Sequence, residues 1–215
     1  GGGGGQGGGK RGGERGEGRA WRRRMTAPES RHKVVWVASL GGFITLLAPS
    51  LVEHLQQWES GKARVLVVYP DKLANNIPTV CNGLTRHVTR TPIIVGERWS
   101  EEKCVVEEAN AIERVQRDLI PCFKILPPPS VFDMATSHAW NLGAPSTCGS
   151  GAMAAWNRGE WARGCQRISR GDDGRMVWSF TSRIDPATGK KVYTLVPGLA
   201  NRRADETAKC GRDLV

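Results

Sequence analysis

Apolar and polar positions along this chain recur with periods that define most of its elements. After Ser100, the apolar residues Val105, Ala109, Ile112, Val115 and Leu119 step by four, three, three and four, one face of a helix. Ser100 is suited to cap that helix, Glu101 and Glu102 favour the positive end of its dipole, and Pro121 ends it. Further helices are predicted over residues 131–140, 152–157, 160–169 and 199–210. Residues 51–59 predict another, with Leu51, Val52 and Leu55 on one face. Residues 64–69 and 77–81 are β-branched runs joined by the turn-rich stretch 70–76, which predicts a small sheet. Residues 176–184 and 191–196 flank Asp185-Pro186-Ala187-Thr188-Gly189, a hairpin signal. The pattern predicts an α+β fold, mostly helical, with little sheet.

Residues 34–52 interrupt it. The run VVWVASLGGFITLLAPSLV has nineteen residues and no charge, with Arg31, His32 and Lys33 before it and Glu53 after. That length suits a membrane span, and the basic flank places the N-terminus in the cytoplasm. Ala38, Ser39, Gly41, Gly42, Thr45, Ala48, Pro49 and Ser50 dilute its hydrophobicity. An anchor helix able to leave the bilayer fits this composition best; a cleaved signal peptide, a permanent anchor and a buried soluble helix are the other readings. All but the last export the rest of the chain. The expectation is a protein anchored in the inner membrane, its body in the periplasm, then released as a soluble periplasmic form.

Composition sharpens this. A hydrophobic fraction of 39% and a charged fraction of 24% describe a globular protein with a sizeable core. The net charge of +10 is unevenly placed: residues 1–33 hold nine Lys/Arg against three Glu, leaving +4 for the rest. Twelve of the first eighteen residues are Gly, so residues 1–33 form a basic tail with too little apolar surface to order itself. Gly, Arg and Glu share purine-rich codons, as a ribosome-binding region would have, and Met25 is read as the true start. The organisation expected is tail 1–33, apolar segment 34–52 and one folded domain, 53–215. Six cysteines, Cys81, Cys104, Cys122, Cys148, Cys165 and Cys210, form an even set without a C-x-x-C pair. The four His complete no ligand spacing, so zinc is not expected, and three disulfides in an oxidising compartment are.

The chemistry lies between residues 58 and 85. Trp58-Glu59-Ser60-Gly61 puts a carboxyl at a helix end, Tyr69-Pro70-Asp71 puts a second at a strand end, and Thr79 adds a hydroxyl. Glycoside hydrolysis needs an acid for the leaving oxygen and a carboxylate to attack or to activate water. A Glu beside Trp58 and an Asp in a polar turn could supply the contrast in environment those roles require. Two ordinary surface carboxylates are the alternative on these grounds alone.

Residues 51–85 resemble the active-site region of the phage-type lysozymes, glycoside hydrolase family 24. Glu59, Asp71 and the run Thr79-Val80-Cys81-Asn82-Gly83-Leu84-Thr85 match its Glu–Gly, Tyr-x-Asp and T-x-C-x-G-x-T pattern. Ala139-Trp140-Asn141-Leu142-Gly143 is similar to its aromatic-Asn-x-Gly turn. Residues 197–210 resemble its closing G-L-x-x-R-R-x-x-E-x-x-x-C helix. The weakly hydrophobic N-terminus resembles that of signal-anchor-release endolysins. The resemblance covers roughly residues 51–211.

The resemblance implies a lysozyme-like fold, a small β-sheet lobe at the cleft beside a larger helical lobe, preceded by an anchor helix. It implies an endolysin that cuts the β-1,4 bond between N-acetylmuramic acid and N-acetylglucosamine for host lysis and phage release. Glu59 would be the general acid, Asp71 would position or activate the water, and Thr79 would help hold it. Arg202 would pair with Glu59, or else stay a helix-surface arginine. The pairs Cys81–Cys104, Cys165–Cys210 and Cys122–Cys148 are implied. The partners expected are a peptidoglycan strand and, through residues 34–52, the inner membrane; no cofactor, metal or nucleic acid is expected, and the chain should act as a monomer.

Departures from the pattern include a longer spacing between Glu59 and Asp71, a longer loop at residues 72–76 and Leu84 where Gly-His-Thr is common. The hairpin at 176–196 is also longer, and Trp178 or Tyr193 would either stack on sugars or pack structurally. Rival functions are a lytic transglycosylase, which needs one acid and no water-activating carboxylate, and an inactive membrane-tethered wall-binding protein. A nucleic-acid-binding role would rest on the tail alone.

Overall fold

The computed structural model describes residues 35–60, 64–72 and 76–214, all within the compact unit Arg31–Val215. The basic tail and the reading of Met25 as the start lie outside the described residues, as does the middle of the 72–76 loop. The elements in order are β1 (Val35–Ser39), β2 (Gly42–Leu46), α1 (Pro49–Ser60), β3 (Val65–Asp71), β4 (Ile77–Cys81) and α2 (Glu101–Leu119). After a 3-10 turn at Ile120–Cys122 follow α3 (Pro129–Leu142), α4 (Ala144–Cys148), α5 (Gly151–Trp156), α6 (Trp161–Gln166), β5 (Phe180–Ile184), β6 (Lys191–Leu195) and α7 (Pro197–Cys210). Among the described residues the strands make three separate two-stranded antiparallel sheets, β1-β2, β3-β4 and β5-β6.

The apolar segment 34–52 corrects the expectation of an anchor helix. Its described part is a hairpin followed by the start of α1. Val35, Val37, Ile44 and Leu46 turn inward while Trp36, Ala38 and Phe43 turn outward, a period of two suited to β-branched residues. Leu40 and Gly41, at φ of 53° and 78°, make the turn, the left-handed pair that a two-residue hairpin requires. Gly42 follows, with Leu126 packed where its side chain would stand. These glycines and Pro49 would break a continuous helix. Among the described residues no helix is long and apolar enough to cross a membrane.

Two apolar clusters divide the body. The larger joins Ile44, Leu46, Leu47, Leu51, Val52 and Leu55 to α3, α5 and the second half of α2. The smaller gathers Val68, Val80, Leu84, Trp99 and the first half of α2 beneath β3 and β4. Helix α2 serves both: Cys104 and Ala111 belong to the sheet lobe, Ile112, Val115 and Leu119 to the helical lobe. Ser100 caps it as expected, accepting from the Lys103 amide at 3.1 Å. The three disulfides are Cys81–Cys104, Cys122–Cys148 and Cys165–Cys210. The first staples the end of β4 to α2, and the last ties α6 to the end of α7. The hairpin β5-β6 has the predicted Asp185 turn, both faces of it exposed.

Candidate active site

A cleft of about 740 Å³ opens between the lobes. Its floor includes Val115 and Asp118 of α2, one side carries Tyr69, Asp71 and Thr79 of the β3-β4 sheet, and the C-terminal end of α3 brings Trp140 and Asn141, with Gly143 just after it. Glu59, at the last turn of α1, lines the same cleft. The structure thus brings Glu59, Asp71 and Thr79 together. Tyr69 reports on both carboxylates. Burial pushes its phenol above the usual range, and the charges of Asp71 and Glu59 push it further.

Each wall has a reason in the sequence. Tyr69 and Thr79 face each other in the β3-β4 register, as do Asp71 and Ile77. The amide of Asn76 donates to the Asp71 carbonyl at 2.7 Å and closes the turn. The buried Thr79 hydroxyl donates to the Ile77 carbonyl at 3.1 Å. Its lone pairs stay available as acceptors. At the end of β4 and just after it, Cys81 and Gly83 take positive φ of 58° and 80°. This bend is fixed twice, by the disulfide to Cys104 and by buried Glu108, whose Oε1 accepts from the Asn82 amide at 3.0 Å. Arg64 holds Glu108 in turn, its Nη2 3.1 Å from Oε2.

The bend matters because Gly83 lies against Glu59: a Cβ there would stand 2.8 Å from Oε2. The other carboxylate oxygen, Oε1, accepts from Arg202 Nη1 at 2.6 Å. Arg202 is not a helix-surface arginine; it is 4% exposed. The end of α1 is also fixed by the Trp58 indole N–H, which donates to Asp205 at 2.9 Å. Glu59 is therefore gripped between a glycine bend and a buried guanidinium.

One further expectation resolves here. Trp178 packs edge-on against the His138 ring with centroids 5.3 Å apart, and it is absent from the cleft lining, as is Tyr193. Among the described residues no cluster of His, Cys, Asp and Glu could hold a metal ion. Ser137 and Glu108 were not singled out by the sequence, and Glu206 entered only as the E of the closing-helix pattern, with no role. For Glu206 the signal was present, since it stands three and four residues after Arg203 and Arg202, the spacing of helical ion pairs.

The fold has known counterparts. The endolysin from Escherichia coli O157:H7 phage FAHEc1 superposes with a TM-score of 0.59 at 22% identity, over 79% of this chain and 94% of that one. The muramidase domain of SpmX from Asticaccaulis excentricus gives 0.59 at 16% identity, over 76% and 96%. The active form of P1 phage endolysin Lyz gives 0.57 at 18% identity, over 78% and 86%. No curated protein sequence matches the chain. The phage lysozyme family model matches residues 56–206, a span that holds the cleft, both carboxylates and Arg202. The chain belongs to the phage lysozyme family, glycoside hydrolases that cut peptidoglycan.

Proposed function

We propose that Glu59 protonates the glycosidic oxygen of the β-1,4 bond between N-acetylmuramic acid and N-acetylglucosamine, while Asp71 positions or activates the attacking water and Thr79 helps hold it. The observation that carries this reading is the shared cleft: two carboxylates from different lobes and a hydroxyl with open acceptor sites line one groove. Their surroundings differ. Glu59 is wedged between Gly83 and Arg202, whereas Asp71 ends an edge strand at a turn. All these groups come from one chain, in keeping with a monomer.

Glu59→Gln keeps the shape and removes the proton. It is expected to abolish clearing of purified sacculi while the protein still unfolds cooperatively, at a lower Tm because Arg202 loses a charged partner; retained clearing would refute the acid assignment. Product analysis separates hydrolysis from transglycosylation: free reducing ends are expected, and 1,6-anhydro ends would refute the role given to Asp71.

The wider reading is an exported endolysin for host lysis. Three disulfides favour an oxidising compartment. Residues 34–52 would hold the chain at the inner membrane before release, and the folded form uses that same segment: Leu46, Leu47, Leu51 and Val52 are core residues. A chain with this segment in the bilayer would lack part of its core and be inactive. Fractionation before and after a depolarising agent should move the protein from membrane to soluble periplasm; a soluble protein throughout would refute the anchored stage.

A further inference from the structure

Behind the cleft, Arg202 belongs to a buried polar cluster built from three helices. On α7, Glu206 is fully buried, and its Oε1 accepts from Arg202 Nε at 3.2 Å and from Arg203 Nη2 at 2.7 Å. From α3, the Ser137 hydroxyl donates to the same oxygen at 2.6 Å. From α1, His54 Nε2 stands 3.0 Å from Ser137 Oγ, and His54 Nδ1 stands 3.0 Å from Lys209 Nζ. An ammonium only donates, so Nδ1 accepts, Nε2 carries the proton, and Ser137 is left to donate onward to Glu206. Every hydrogen bond from Lys209 to Glu206 has one direction.

The cluster sets two carboxyl groups, Glu59 and Glu206, beside two guanidiniums, Arg202 and Arg203; Lys209 is paired with Asp205 at 2.9 Å. The two buried histidines add no charge, because burial holds His54 down at about 4 and His138 down at about 3. Arg202 is shared between the two carboxylates, 2.6 Å from Glu59 and 3.2 Å from Glu206. An unshared guanidinium beside Glu59 would orient its carboxyl but oppose the proton that an acid must hold.

We infer that Glu206, with Ser137 and Arg203, is a positioning residue for Glu59: it fixes the Arg202 guanidinium and takes up part of its charge, so that Glu59 is oriented without losing its proton. This rests on Glu59 being the acid. Its sign is testable, because removing a negative or a positive charge from the cluster should act in opposite directions.

The experiment is the pH profile of kcat/KM on soluble glycan chains for wild type, Glu206→Gln, Arg203→Gln and Ser137→Ala, with Glu59→Gln alongside. Glu206→Gln is expected to move the alkaline limb about one pH unit lower, and Arg203→Gln about one unit higher. Ser137→Ala, which strengthens the pull of Glu206 on Arg202, should give a smaller upward shift. Ser137→Ala removes a single oxygen and decides the matter where the charge changes prevent folding. A purely structural cluster would lower activity at every pH and leave the limb in place; a fixed limb, or shifts of one sign in all variants, overturns the inference. Activity surviving Glu59→Gln would instead refute the acid assignment.

Discussion

Gly83 offers a direct test of how tightly the cleft constrains Glu59. Alanine at this position meets two separate penalties. The first is conformational: at φ of +80° a Cβ crowds the following carbonyl, which costs about 1–2 kcal/mol. The second is local: the new methyl would stand 2.8 Å from Glu59 Oε2 and 3.6 Å from its Cδ. Glu59 has little room to retreat, since Arg202 holds Oε1 at 2.6 Å on its other side. Gly96 separates the two penalties. Its φ is +88°, and an added Cβ would meet nothing within 4 Å. Gly96→Ala should therefore lose only the conformational part, about 2–8 °C in Tm for a domain of this size, and Gly83→Ala at least as much. Only Gly83→Ala should lose activity, by about 10²-fold in kcat/KM, the cost of a catalytic group displaced by about 1 Å. Calorimetry and clearing of sacculi, run on both variants, measure each term. Full activity in Gly83→Ala would refute the grip on Glu59, and equal activity loss in Gly96→Ala would assign the effect to the backbone.

Three other outcomes follow from the same structure. Cys165→Ala with Cys210→Ala opens a bridge spanning 45 residues and should cost about 4 kcal/mol by the loop-entropy account; urea unfolding measures it. Leu40 holds φ of +53° before Gly41, so Leu40→Asn, the residue that turn favours, should stabilise by about 0.5–1 kcal/mol in the same assay. His54 and His138 sit at about 4 and about 3 in the folded protein against 6.5 when exposed. The unfolded chain therefore binds more protons, and their stabilising contribution, complete above pH 6.5, drains away as pH falls toward 4. Asp133, raised by burial from 3.8 to about 6, opposes this in part, since its proton favours the folded form between those values. Calorimetric Tm from pH 8 to 4 should still fall, and a flat profile would count against two neutral buried histidines.

The fold was legible where one face of an element is apolar and the other polar. Helix α2 announced itself by its steps and by Ser100, and β5-β6 by its turn. Residues 35–46 hid a period of two, because their outward positions Trp36, Ala38 and Phe43 are apolar as well as the inward ones. An uncharged run then reads as a span on length alone. Leu40-Gly41-Gly42 was the local clue, for a glycine pair weakens a helix and suits a tight hairpin turn.

The site was legible in part, for a different reason. Glu59 and Asp71 stand close in sequence and came with recognisable neighbours. The contacts that fix Glu59 are remote: Arg202 lies 143 residues away, and Asp205 lies 147 residues from Trp58. Pairings at that range leave no periodic trace, and only a resemblance could suggest the first. Helix α7 did carry one unread sign. Leu199 is the only large apolar side chain among residues 197–210, too little to bury a helix by an apolar stripe. Yet Arg202, Arg203, Glu206 and Cys210 are buried. Such a face can enter a core when its charges are paired and its end is tied: Glu206 accepts from both arginines, and the Cys165–Cys210 bridge holds the end. The same paired charges that let α7 pack also present Arg202 to Glu59, so the helix's place in the fold and its service to the cleft rest on one set of ion pairs.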